Sequence, residues 1–452
     1  MNTPSTSAAT EPAHLEADLL EEAADALAIA KAAGADDVAV RIGQGRSLEF
    51  DYRDGSLEKV QESATRALSV SLYVDGRYSR HQSNDLRATS LKPFLEQAVA
   101  LTRALEPDPH RQLPDPALYA DRSTADLDLW DPSVEAFTRE DALTWLEAMD
   151  ARTHADERVI SASAHVSASA STSAMLTTNG FSGTVRGTSG TVFAEATVRD
   201  EGDKRPESYS YARARHLSDL PEAAMIGDEA LSRALARLGS GKAPSARTTL
   251  VLDNRAVGTL LGPLLGALSG GAIQQERSFL KGSLGKRVAS DLLVLTDDPL
   301  MPRALASRPY DGEGISARAR PIIDAGTLRT FFIDTYYGRK LGVAPTTGGT
   351  TNVRFELGEK DCAALIAGVD DGIYLTDWAG GNSDGTNGDF SFGMRGNVIK
   401  GGKIGAPIGE MNVTGNYLDL LNKLVAVGND PYPYSALQSP TLVFEDVNFS
   451  GA

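Results

Sequence analysis

The sequence holds a single cysteine, Cys362, among 452 residues, so it supplies neither an intrachain disulfide framework nor a cysteine-built zinc knuckle. That usage fits a reducing compartment. Histidine is scarce too, and lopsided: all 6 lie between His14 and His216. Chemistry in the second half must work without imidazole as base, nucleophile partner or metal ligand. No stretch approaches the roughly 18 apolar residues of a membrane-spanning helix, and the N-terminus has neither a basic start nor an apolar segment. A soluble, cytoplasmic chain that does not enter a membrane is the expectation. Basic residues are outnumbered, with 44 Lys and Arg against 61 Asp and Glu, for a net charge of −17. A surface of that sign repels phosphate backbones, so direct nucleic-acid binding is not expected.

What is present is globular in character, and the length suits about three domain-sized units at roughly 150 residues each. Residues 1–12 are rich in Ser, Thr, Ala and Pro and read as a disordered tail. From His14 to Ala33 apolar residues recur at a helical period and stop at Gly34. Short alternating runs follow at 38–42, 47–52, 57–61 and 67–74, broken by Gly45 and by the hairpin signals Asp54-Gly55 and Asp75-Gly76. Leu91–Leu105 has a helical pattern, and Pro107, Pro109, Pro114 and Pro116 then make a stiff connector.

A second segment opens with a helix over 138–151. From Ile160 to Ala170 the even positions are apolar and the odd ones are serine or His165, which predicts a long half-buried strand. Further strands are expected at 172–178, 182–187, 191–199 and 205–215, then a helix over 221–238. Gly239–Ser245 is the clearest linker. Beyond it come a strand at 248–252, an apolar helix at 254–268, many short strands with glycine turns, a helix at 416–427 and a strand at 440–446. The pattern predicts an α+β fold. An N-terminal α+β domain over 13–240 has two segments, 13–106 and 125–240, with an antiparallel sheet and helices. A β-rich C-terminal domain spans 248–452.

Several motifs read more simply as structure than as chemistry. Gly239-Ser-Gly-Lys242 lacks the leading glycine and the trailing Ser or Thr of a phosphate loop, and Gly381–Gly385 matches G-x-S-x-G but has no histidine after it. Ser278-Phe-Leu-Lys281 allows a Ser–Lys hydrolase, without supporting elements. Asn382, Asp384, Asn387 and Asp389 misplace the glycine and glutamate of a calcium loop. His154 and His165 lack a third ligand, and Cys362 precedes the small apolar run of a minor core. No catalytic residues are assigned.

One ordered set of motifs is more specific than any of these. It comprises Leu268-Ser-Gly-Gly-Ala272, Ser278-Phe279 with Ser283-Leu-Gly285, Thr296-Asp-Asp-Pro299, Tyr310-Asp-Gly-Glu-Gly314, Ile323-Asp-Ala-Gly-Thr-Leu328, Tyr337–Gly342, Gly388-Asp-Phe-Ser391 and Val427-Gly-Asn-Asp430. Together they resemble the TldD/PmbA family, long called modulators of DNA gyrase and regarded as metallopeptidases with their partner subunits. The resemblance implies a C-terminal domain of the TldD/PmbA type. It also implies that TldD members carry HExxxH on the first helix of that domain, where two histidines and a distant cysteine hold zinc and the glutamate activates water.

The corresponding stretch here is Gly262-Pro-Leu-Leu-Gly-Ala267, so at Gly262, Pro263 and Ala267 both imidazoles and the carboxylate are gone. No register shift restores them, and Cys362 lies far upstream of the usual cysteine. This resembles the PmbA (TldE) branch. The resemblance implies a dimer subunit, silent alone, without metal or cofactor of its own, paired with a TldD-like zinc peptidase or with itself around an extended peptide substrate. Thr346–Asn352 then reads in two ways. It is a flexible surface loop, or Thr347, Gly348, Gly349, Thr350 and Asn352 offer backbone groups to a peptide by strand addition. Asp311 and Glu313 are expected to cap helices or to pair with Arg318 or Arg320.

Overall fold

The computed structural model describes residues 12–451. The tail read over 1–12 lies outside the described residues except for Pro12, which opens the first helix. In chain order the first domain contains α1 (Pro12–Ala32), β1 (Asp37–Arg53), β2 (Ser56–Val74), β3 (Arg77–Ser83), α2 (Ala88–Arg103), α3 (Pro132–Ala136), α4 (Arg139–Thr153), β4 (Val159–Thr177), β5 (Ser182–Val198), β6 (Glu207–Ala214) and α5 (Ala223–Leu235). The strands form one antiparallel sheet in the order β3-β2-β1-β4-β5-β6, so both chain segments build it.

Even-numbered residues of β1, β4 and β5 point to one face. At one end Val38, Val40 and Ile42 pack under α1 and α2, and at the other Phe50, Val166 and Val192 pack under α4 and α5. Fully buried side chains such as Phe50, Leu146 and Met149 each contribute about 1.5–3 kcal/mol. The odd face carries Ser161, Ser163, His165, Ser167 and Ser169, and among the described residues the clusters formed with α1, α2, α4 and α5 lie on the opposite face.

The Asp-Gly turns form as expected, with left-handed backbone at Asp54, Gly55, Asp75 and Gly76. The segments expected as separate strands do not stay separate. Residues 38–42 and 47–52 fuse into β1, 57–61 and 67–74 into β2, 159–170 and 172–178 into β4, and 182–187 and 191–199 into β5. Gly45 is a mid-strand position opposite Thr65 and Ser171, not a break. At Gly190 an added Cβ would lie 2.5 Å from Leu217, so this glycine admits a close approach rather than a turn.

The second domain contains β7 (Ala246–Leu252), α6 (Val257–Ala267), α7 (Gly270–Gln274), β8 (Leu295–Asp297), β9 (Arg320–Asp324), β10 (Thr327–Leu328), α8 (Thr335–Leu341), β11 (Val353–Phe355), α9 (Cys362–Ala367), β12 (Asp371–Ser383), β13 (Asp389–Lys400), β14 (Lys403–Asn416), α10 (Tyr417–Asn422), β15 (Leu424–Val427), β16 (Leu437–Gln438) and β17 (Leu442–Ser450). One sheet runs β14-β13-β12-β7-β17-β15, and β14 also pairs with β17, so five strands close on themselves. A smaller sheet runs β10-β9-β8-β11-β16. The helix expected over 416–427 is shorter: after α10 the chain turns at Lys423, and Leu-Val-Ala-Val adds to β17 as β15. This short run is apolar and partly β-branched, and it gains more from the ladder than from another helical turn.

The domains meet on the uncovered face of the first sheet. Tyr310 packs edge-on against Phe181, with ring centroids 4.8 Å apart, beside Met175. The proline-rich connector lies in the junction, where Arg339 of α8 donates to the carbonyls of Gln112 and Leu113.

Candidate functional site

The apolar helix α6 is anchored by Val257, Leu260, Leu261 and Leu264, all fully buried in the main core with Leu250, Leu375 and Phe444. That burial sustains a helix whose composition works against it, since Pro263 removes one internal hydrogen bond and Gly262 and Gly266 lower the propensity. Gly262 and Gly266 are exposed, with open space where a Cβ would stand, whereas Ala267 is buried.

The loop after β10 and α8 is pinned by side chains. Thr351 donates through its amide and hydroxyl to Asp297, and Asn352 bonds the carbonyl of Asp298, Ser307 Oγ and the Ala306 amide, at 2.8, 2.8 and 2.9 Å. Thr347, Thr351 and Asn352 are buried, while Gly348 is exposed and Gly349 and Thr350 are half-buried. Gly348 donates its N–H to Asp311 Oδ2 at 3.2 Å.

That bond joins the loop to the Tyr310–Gly314 motif. Asp311 Oδ1 accepts the amides of Glu313 (2.8 Å) and Ile315 (3.0 Å). Glu313 Oε2 accepts the amide and hydroxyl of Thr335, both at 2.9 Å, at the start of α8. Of the roles expected for these carboxylates, helix capping is the one Glu313 performs. Arg318 pairs instead with Asp121, and Arg320 donates to the carbonyls of Arg318 and Thr346.

Asp311, Gly312, Glu313, Asp334 and Gly348 form one wall of a cavity of about 310 Å³; the other wall is the first sheet, with Arg41, Ser71, Tyr73, Tyr78 and Arg80. Among the described residues none hydrogen-bonds Glu313 Oε1 or Tyr73 Oη, and Arg41 donates to Met175 Sδ at 3.3 Å, near Tyr310, without a carboxylate partner. The cavity thus offers a cation and an unused carboxyl oxygen on opposite walls. This suits a ligand with both N–H and C=O groups, such as a peptide backbone.

Arg41, Tyr73 and Tyr78 escaped the sequence reading, although a signal existed. The Asp75-Gly76 hairpin sets Tyr73 opposite Tyr78, and such a cross-strand aromatic pair is a contact that hairpin register predicts.

Burial pushes the Glu313 carboxyl above its usual range, and Asp311 and Asp334 add to the rise against the opposing bonds from Thr335. The folded state therefore holds this proton more tightly than the unfolded chain does. The resulting contribution is fully favourable below the ordinary glutamate pKa and is lost as pH rises through the higher folded value. Thermal unfolding of Glu313→Gln, which keeps an oxygen for Thr335, is expected to show a flatter fall in midpoint with rising pH above about 4.5. Parallel profiles for the two proteins would remove Glu313 as the source.

The other motifs resolve as packing or surface. Ser278 is buried and donates to the carbonyl of Ala267 at 2.6 Å, while Lys281 pairs with Glu276 at 2.7 Å, so no Ser–Lys dyad forms. Gly381–Gly385 lies at the end of β12 and in the turn to β13, with no helix after it. His165 pairs with Asp51 and His154 with Asp150 and Asp54. Cys362 joins a small cluster with Val251, Leu365 and Ile366, separate from the core around α6.

Taken in chain order, the domains match three family models: "PmbA/TldA metallopeptidase domain 1" over 38–102, the central domain over 132–238 and the C-terminal domain over 245–451. These define a chain with the architecture of a peptidase family. It belongs to the PmbA/TldD metallopeptidase family. Metalloprotease PmbA of Escherichia coli O157:H7 is 28% identical over 440 residues, covering 96% of each chain. A crystal structure from Bacteroides thetaiotaomicron, of a candidate modulator of DNA gyrase, is 38% identical with a TM-score of 0.93 over 96% of this chain and 98% of that one. TldE from Thermococcus kodakarensis shares the fold, with a TM-score of 0.83 at 19% identity over 95% of this chain and 100% of that one.

The family name implies a metal, and the residues at the corresponding helix do not fit one. Gly262, Pro263 and Ala267 offer no side-chain donor, and among the described residues no group of three or more His, Cys, Asp or Glu is placed to hold an ion. Among the same residues no helix is long and apolar enough to cross a membrane.

Proposed function

We propose that this chain is the non-zinc-binding subunit of a cytoplasmic peptidase. Its partner is a TldD-like chain that carries zinc and cleaves unfolded or leader peptides. The observation behind this reading is α6, which keeps its place in the core while Gly262, Pro263 and Ala267 leave its sequence without a ligand for zinc. In this reading the chain contributes a wall for extended peptide. Gly348, Gly349 and Thr350 face the substrate, and the buried Thr351 and Asn352 hold their loop in position.

Purified alone, the chain should carry well under one zinc per molecule and cleave no peptide in a chelator-sensitive manner. Cleavage should appear when a chain bearing HExxxH is added. Tightly bound stoichiometric zinc, with hydrolysis by the lone chain, would refute the assignment.

A second reading is a homodimer that binds peptides without cutting them. It is favoured by Arg41 and Glu313 Oε1, which have no partner of opposite charge or hydrogen-bond donor, respectively, among the described residues and lie in one cavity of this chain. Co-purification from the source organism separates the two: recovery with a zinc-motif chain supports the first, and one subunit type with intact bound peptide supports the second.

A further inference from the structure

A second cleft between the domains, of about 530 Å³, lies between α5, the start of β6 and strands β12–β14. Its floor gathers more positive charge than its own carboxylates neutralise. Asp377 takes Arg237 at 2.6 Å and Arg395 at 3.4 Å, and Glu229 takes Arg255 and, at 3.8 Å, Arg233. Over the cleft lining as a whole, five basic side chains stand against the three carboxylates of Asp200, Glu207 and Glu410, in a chain whose overall charge is −17.

Arg255 is the most constrained of the four paired arginines. It packs beside Tyr211 and Tyr432, 5.4 and 5.2 Å from their ring centroids, its side chain is 8% exposed, and its buried Nη2 has no hydrogen-bond partner among the described residues. A buried guanidinium N–H without an acceptor is costly unless something fills that role. Next to it is a void of about 40 Å³, lined by Arg233, Arg255, Ser208 and Thr376 and also by Asp377, whose carboxylate is already paired with Arg237 and Arg395; the void shares Ser208, Arg233 and Thr376 with the larger cleft. One water needs only about 10–15 Å³ by the same measure, so a small polyatomic group fits.

We propose that this cleft binds a small oxyanion ligand whose phosphate or carboxylate group enters between Arg233 and Arg255, with the rest of the ligand lying along the cleft. The inference does not depend on the partner-subunit reading. Planar guanidiniums bind both oxyanions with paired hydrogen bonds. A volume of 530 Å³ is within the range of small-molecule sites, about 300–1,000 Å³. Because α5 and β12–β14 supply opposite sides, bound ligand ties the domains together and raises the thermal midpoint by linkage.

The test is calorimetric titration of the full chain at fixed ionic strength in chloride-free buffer, first with inorganic phosphate and then with acetate. One saturable site is expected, weakened about tenfold or more in Arg233→Gln and in the more exposed Arg395→Gln, and unchanged in the distant surface variant Lys92→Gln. Saturation by phosphate alone identifies a phosphate-bearing ligand, by acetate alone a carboxylate, and by both the shared chemistry. No saturable binding of either anion, or equal affinity in Arg233→Gln and Arg395→Gln, overturns the proposal.

Discussion

Asp311→Ala is expected to lower the unfolding free energy by about 3 kcal/mol and to release the 346–350 loop from the domain junction. The carboxylate accepts three backbone amides, those of Glu313, Ile315 and Gly348 at 2.8, 3.0 and 3.2 Å. Each amide left without an acceptor costs roughly 1–3 kcal/mol if it stays dry, and Gly348, being exposed, recovers part of that from water. Bonds to a charged acceptor are the stronger kind, so the loss falls mainly on the two amides within the motif. Denaturant unfolding measures the first effect, and hydrogen exchange at the Gly348 amide measures the second. Asp311→Asn keeps one carbonyl oxygen and should lose about half as much. A change within about 0.5 kcal/mol for the alanine variant, with Gly348 still protected, would show that the loop is held without Asp311, by Thr346, Thr351, Asn352 and the bonds from Arg308 and Arg320.

This arrangement explains what could be read from the sequence. The α+β character, the Asp-Gly hairpins and the alternation of β4 follow from periodicities of two and 3.6 residues, which are local properties. The fusion of paired short runs was hidden in the two 17-residue strands because Gly45 and Gly187 carry the same letter whether they turn the chain or admit a neighbour, and in the two 19-residue strands because the joins, at 62–66 and at Ser171, are polar or exposed and interrupt the apolar alternation. Gly187 faces Arg215 Nη1 at 2.9 Å from the position of an added Cβ. Only the tertiary partner distinguishes the two cases.

The candidate site divides along the same line. Asp311, Glu313 and the Gly348 loop could be singled out because they lie in short motifs. Arg41, Tyr73 and Arg80 lie 230 or more positions earlier in the chain, and nothing local signals that the two domains meet there. That Gly262, Pro263 and Ala267 carry no side-chain metal donor follows from their identity and needs no geometry.

Gly326→Ala is expected to cost about 3–5 kcal/mol, a large part of the roughly 5–15 kcal/mol that holds a domain together. Gly326 closes the turn between β9 and β10 with φ +73°, and an added Cβ would stand 2.3 Å from the carbonyl oxygen of Ala289 and 2.8 Å from that of Ser290. These neighbours are backbone, and they are tied in place. The amides of Val288 and Ala289 donate to Gly326 O at 2.8 and 3.2 Å, and the Gly326 amide donates to Leu293 O at 3.0 Å. Relief of the clash would break that set and expose the fully buried Leu328 beside it. Gly282→Ala is the matched control, because Gly282 has nearly the same φ, +75°, with nothing within 4 Å of the added carbon. It should lose only the left-handed penalty of about 1–2 kcal/mol. A gap of about 2 kcal/mol or more between the two variants in chemical denaturation assigns the glycine of the Ile323–Leu328 motif to packing. Equal losses would mean that backbone conformation alone requires it, and that the segment 288–290 can move to admit a side chain.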